Sequence, residues 1–232
     1  MREGPIAMRN LVIATMLLML AGTALGGTIY DIRTGAIAAG SVVDIDGAVV
    51  TAVQAQSFTI TELPAGPYTA IWVYQGSAPS VHVGDVVHVR GFVRLTDQRG
   101  EVNLLYPADA GVTVTGSAPL PDLQLTTTEV LADPAAWESH VLTLTDGFIV
   151  QELFPADGQW RVQSVETGLD MIFDDYFFDF QTVALGDCYN NAYGMFTWFT
   201  DKYVFKVMEV AHTDCTVGND AMSFSRVKSM YR

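Results

Sequence analysis

The sequence predicts an all-β protein made of two tandem five-stranded Greek-key barrels with short helices, placed behind an export leader. Three observations carry that prediction: an apolar leader ending in small residues, a body that alternates in a strand rhythm, and an internal repeat with a period of about one hundred residues.

The leader comes first. Arg2 and Arg9 each follow a candidate initiator, Met1 and Met8, and an apolar run follows over residues 11–20. Ala24 and Gly26 then occupy the positions that a signal peptidase reads, so residues 1–26 are expected to be a secretory signal peptide. The run is short for a membrane span, and no cysteine stands at the cleavage site to carry a lipid.

Strand-like runs fill the body. Residues 41–46, 69–74 and 86–90 are rich in β-branched and aromatic side chains and are bounded by Gly, Pro and Asp. Asp46-Gly47-Ala48-Val49-Val50 returns as Asp146-Gly147-Phe148-Ile149-Val150, and Ser57-Phe58-Thr59-Ile60 as Gln159-Trp160-Arg161-Val162. Ile71-Trp72-Val73-Tyr74 returns as Met171-Ile172-Phe173-Asp174. Val83-Gly84-Asp85-Val86 returns as Leu185-Gly186-Asp187-Cys188, and Arg90-Gly91-Phe92-Val93 as Tyr193-Gly194-Met195-Phe196. These matches are co-linear and nearly equally spaced, which short chance matches do not achieve.

Each repeat therefore reads as five strands. The first is long with a mid-strand glycine, where a closed sheet needs a bulge, and the fourth carries a second glycine after a Gly-Asp turn. Five strands bent at the first and fourth are what an OB-fold barrel requires. Barrel one spans residues 27–116, and barrel two spans 117–214 behind the proline-bearing stretch 116–121. Thr126-Thr127-Thr128-Glu129 opens a short capped helix that Pro134 stops. Residues 215–232 are expected to form a linker and a basic amphipathic tail with Phe224, Val227 and Tyr231 on one helical face, which docks on the barrels, is read by a partner, or is simply a frayed end.

The stretches GAVVTAV, SFTI, IWVY and VGDVVHVRGFV together resemble the small OB-fold modules attached to secreted bacterial nucleases and related exported proteins. The resemblance is close over 28–116 and keeps only the frame over 120–213. It departs where Thr61-Glu62 replaces the usual Gln-Asp after the second strand. It implies an accessory binding part, detached here from any catalytic domain.

The residues themselves point away from catalysis. No Gly-x-Ser-x-Gly elbow, His-Glu-x-x-His, phosphate-cradling glycine loop or Cys-x-x-Cys occurs, so neither an enzyme nor a cofactor is expected. His82, His88, His140 and His212 read as exposed or structural. Asp44 and Asp46 share one face of a strand, as a solvated face or as oxygen ligands for a cation. Asp170, Asp174, Asp175 and Asp179 have two readings. They could form a Ca²⁺ site, or Asp174 or Asp175 could cap a helix whose Phe177, Phe178 and Phe180 close the second barrel.

The candidate ligand-binding residues are aromatic and basic strand residues: Trp72, Tyr74, Arg90 and Arg94 in the first barrel, and Trp160, Tyr193 and Trp198 in the second. Residues 160–205 hold 13 of the 25 aromatics, which suits a stacking strip as well as an ordinary core. If Phe199-Thr200-Asp201 turns a hairpin, residue 188 faces 212 or 213, and Cys188 and Cys215 come close enough for a disulfide.

Charge narrows the partner. The net charge is −14, and nucleic-acid affinity depends on basic side chains releasing counterions. Residues 117–214 hold 16 acidic and 3 basic side chains, against 8 and 4 in 27–116, so nucleic acid fits barrel one only. The expectation is a bacterial, secreted, periplasmic or cell-surface adaptor for a protein or polysaccharide partner. The alternatives are a nucleic-acid-binding accessory of an extracellular nuclease system and carbohydrate binding by the second barrel.

Overall fold

The computed structural model describes residues 28–96, 99–177 and 183–213. The expected signal peptide, Phe178, Asp179, Phe180, Cys215 and the tail lie outside these residues. No helix among the described residues is long and apolar enough to cross a membrane.

The protein is nearly all-β and forms two barrel-like units. The first contains β1 (Val42–Val53), β2 (Ser57–Thr61), β3 (Ala70–Tyr74), β4 (Asp85–Thr96) and β5 (Arg99–Asn103). They pair in the order β1-β2-β3-β5-β4, and β4 returns to β1, which closes the barrel in the five-stranded OB arrangement. β6 (Gly111–Ser117) adds an edge along β4. Val43, Ile45, Val50, Phe58, Ile60, Val73, Val89 and Val102 alternate inward to fill the core.

The second unit repeats the plan with β9 (Phe148–Phe154), β10 (Gln159–Ser164), β11 (Asp170–Asp174), β12 (Cys188–Phe199) and β13 (Lys202–Thr213). Its order is β9-β10-β11-β13-β12, with Cys188 and Tyr189 of β12 returning to Ile149 and Phe148 of β9. Two short strands, β7 (Gln124–Leu125) and β8 (Val141–Leu144), extend the sheet beyond β12. β1 runs through Gly47 at φ +76° with a bulge, whereas the corresponding stretch around Gly147 breaks into β8 and β9.

The repeat holds atom for atom at its turns. Gly84 (φ +93°) donates to the Val50 carbonyl at 2.9 Å, and Gly186 (φ +84°) donates to the Val150 carbonyl at 3.0 Å. Asp85 caps the first turn by accepting from the His82 N–H, as Asp187 accepts from the Ala184 N–H. Both glycines use the left-handed region that other residues avoid, which explains why Gly-Asp recurs there.

A helix stands ahead of each barrel. α1 (Ile29–Arg33) is opened by a Thr28–Asp31 capping box, and α2 (Thr127–Ala132) by a Thr126–Glu129 box. Ile29 and Ile32 plug the first barrel, and Val130 enters the core of the second. α2 was legible in the sequence; α1, its counterpart, was not. The helix expected at 174–180 is corrected over its described part. Asp174 ends β11, a turn follows, and Phe177 packs at the seam between the units instead of closing the barrel.

A candidate ligand cavity at the seam between the barrels

The two units are fastened together by the segment that leads into β8. α3 (Pro134–Trp137) is followed by Glu138, Ser139 and His140, all fully buried. Arg33 of α1 donates to Glu138 and to the Ala135 carbonyl. Ser139 and Thr197 donate to the other Glu138 oxygen. Tyr68 gives its N–H to Ala136 at 2.7 Å and its hydroxyl to Asp133 at 2.8 Å. The His140 Nε2 hydrogen-bonds the Gly66 carbonyl at 2.8 Å, and burial pushes its pKa down to about 4.

The outer face of β1–β3 lies against the second barrel. Ala52 and Trp72 cluster with Val141 and Met195, and Tyr74, Phe177, Tyr193 and Met208 pack around them. Thr51, Thr59 and Thr61 are at most 2 % exposed on the first barrel, and Thr51 satisfies Thr59 through their hydroxyls at 3.0 Å.

A cavity of about 390 Å³ opens at the margin of this contact. The β1–β2 turn contributes Gln54, Ala55 and Gln56, and β3 contributes Trp72 and Tyr74. Ser57, Arg94, Glu101 and Tyr176 complete the wall. Register explains the grouping: Ser57 faces Tyr74, Trp72 faces Glu101, and Arg94 faces Glu101, so alternate residues of four strands share the barrel's outside. Lys206, only 5 % exposed, lies over the rings of Tyr176 at 4.1 Å and Trp72 at 5.6 Å.

Three of the seven residues nominated from the sequence therefore meet here: Trp72, Tyr74 and Arg94. Tyr193 packs against the same cluster, and burial raises its phenol pKa. The other three lie elsewhere. Trp160 is fully buried inside the second barrel, edge-on to Phe173. Arg90 pairs with Asp44 and Asp109, while His88 links Asp44 to Asp46, so that face is an ion-pair network. Trp198 is half-buried against Tyr203.

The aspartates are also spread out. Asp170 accepts from Arg161, and Asp174 accepts from Gln159 and the Tyr176 N–H. Four residues of strand hold these two about 13 Å apart. Asp175 follows β11, with its N–H on the Gly158 carbonyl, and Asp179 lies outside the described residues. Among the described residues no three His, Cys, Asp or Glu side chains gather as a metal site.

Sequence reasoning missed Gln54, Gln56, Glu101, Tyr176 and Lys206. Two signals were there to find: a polar Gln-x-Gln turn after an apolar strand, and a single lysine inside Tyr203-Val204-Phe205-Lys206-Val207-Met208.

No family model matches the chain, and no curated protein does. The structure bears out the OB-fold barrels, whereas the expected likeness to modules of secreted bacterial nucleases finds no match in these comparisons. Among solved structures, the HINb domain of p204 aligns at TM-score 0.33 and 7 % identity, covering 75 % of this chain and 98 % of that one. The HINa domain of Ifi202, in complex with double-stranded DNA, aligns at TM-score 0.32 and 8 % identity, covering 75 % and 96 %. A murine DNA-binding protein bound to double-stranded DNA aligns at TM-score 0.36 and 9 % identity, covering 75 % and 97 %. Likeness this low leaves what those proteins bind with them.

Proposed function

We propose that the protein is an exported, non-catalytic adaptor that holds a macromolecular partner, a cell-surface protein or polysaccharide, at the seam cavity. One observation carries the reading. The cavity lies on the side of the first barrel formed by the β1–β2 turn and the strands beside it, where OB folds take ligands, and second-barrel Tyr176 forms part of its wall. Aromatic rings, side-chain amides and one exposed arginine make a surface for contact, with no ladder of basic groups along it.

Nucleic acid is the weaker reading for this site. The second barrel covers much of the β1–β3 face that a strand would lie on, and the surroundings are acidic.

The test uses the exported full-length chain. Biolayer interferometry against cell-surface polysaccharide and envelope protein fractions should show saturable binding that Arg94→Ala or Gln56→Ala weakens at least fivefold. A gel shift and a plasmid-degradation assay, each with and without Mg²⁺ or Ca²⁺, run beside it. Salt-sensitive shifts or cleavage would replace this function with the nuclease-accessory one. N-terminal sequencing of the exported protein should begin at Gly27.

A further inference from the structure

We propose that the seam cavity is a carbohydrate subsite that takes neutral sugar rings of a surface glycan; this rests on the reading of the cavity as the binding site. Three features of the wall select that chemistry. First, Gln54 is 8 % exposed and lines the cavity, yet among the described residues its amide N–H meets only the Met195 sulfur, at 4.0 Å. Thioether sulfur is a weak acceptor, so a buried planar amide is left with capacity for a hydroxyl pair. Gln56, on the same turn, is exposed beside it.

Second, the aromatic part is built to be approached. Tyr176 is 49 % exposed while Lys206 rides over its ring at 4.1 Å, and Tyr74 stands half-buried on the facing strand. A sugar presents C–H bonds on one side and hydroxyls at its rim. Rings therefore take its apolar face, while amides and Arg94 take the rim.

Third, the alternatives lack their structural requirement. An extended peptide gains affinity by adding a strand to an open edge, but β2, β3 and β5 each have neighbours on both sides. Recognition here must be by side chains alone. A phosphate-bearing polymer would meet Glu101, 4 % exposed and in register with Arg94, within a chain of net charge −14. Charges of both signs in one wall suit a neutral ligand.

Saturation-transfer NMR and calorimetry on the exported protein would decide, using cellotriose, maltotriose, xylotriose, laminaritriose and chitotriose. Polygalacturonate, a mixed peptide pool and oligo-dT serve as counter-probes. The expected result is binding of at least one neutral trisaccharide, weakened tenfold or more by Gln56→Ala and by Tyr176→Ala, with circular dichroism unchanged. Gln54→Leu should abolish the same signal. If peptides or oligo-dT bind through these residues and the sugars do not, the sugar assignment falls and the seam site stands. If trisaccharides bind but all three variants bind equally well, the seam site itself falls. Silence from every neutral glycan at millimolar concentration overturns the assignment.

Discussion

Arg33 and Glu138 form an ion pair with side chains 4 % and 0 % exposed, joining the helix ahead of the first barrel to the segment ahead of the second. Each charge is acceptable in that place because the other is there. Glu138→Ala strands a buried guanidinium and should cost about 3–5 kcal/mol. Replacing both residues with apolar ones of similar volume should recover most of that loss. Urea denaturation of the single and double variants checks both outcomes.

His140 makes stability depend on acid. Burial lowers its pKa to about 4, whereas an unfolded histidine titrates near 6.5. Between those values the unfolded chain binds the extra proton, so stability rises with pH across the window. The contribution is complete above about pH 6.5, is lost as pH falls toward 4, and amounts to about 3 kcal/mol. Arg33, facing the same interface, acts in the same direction. The difference in melting temperature between wild type and His140→Gln, followed from pH 7 to pH 4, should narrow over this interval.

The glycines of the fourth strands are not equivalent to those in open turns. A Cβ on Gly194 would lie 2.3 Å from the Lys206 carbonyl, and one on Gly91 would lie 2.6 Å from Val102. Gly194→Ala and Gly91→Ala should each destabilise by about 1–3 kcal/mol. Gly111→Ala, where nothing stands within 4 Å, should have almost no effect. Thermal melts of the three variants separate close approach from a general cost of losing glycine.

Cys188 lies opposite Thr213 in the β12–β13 ladder, and Cys215 is two residues farther along the chain. If the protein is exported as proposed, a disulfide between the two cysteines is expected and contributes about 3 kcal/mol in the chain-entropy model. Thiol titration of the denatured protein should find no reactive thiol until a reductant is added. Two free thiols would end the idea.

Local and repeated features were legible. The Gly-Asp turns, the bulge at Gly47, the α2 capping box and the 199–201 hairpin all have short signatures, and each appears where its residues stand. α1 escaped because Thr28-x-x-Asp31 directly follows the stretch expected to be a leader and is too short to declare itself by periodicity. The seam escaped for a different reason. Arg33 and Glu138 are 105 residues apart, and Gln54 and Met195 are 141 apart, so no window along the chain contains both. A lysine over rings, likewise, looks like any surface lysine until the strands are folded together.

The threonines at the seam show how a polar wall is sealed from water. Thr51, Thr59 and Thr61 are shut away from water and answer one another across the strands. Beside the apolar contact of Ala52 and Trp72 with Val141 and Met195, part of the seam is therefore a wall of hydroxyls that stays dry because its groups bond to one another. A fragment encoding the first repeat alone would return that wall to water and leave the apolar patch beside it bare.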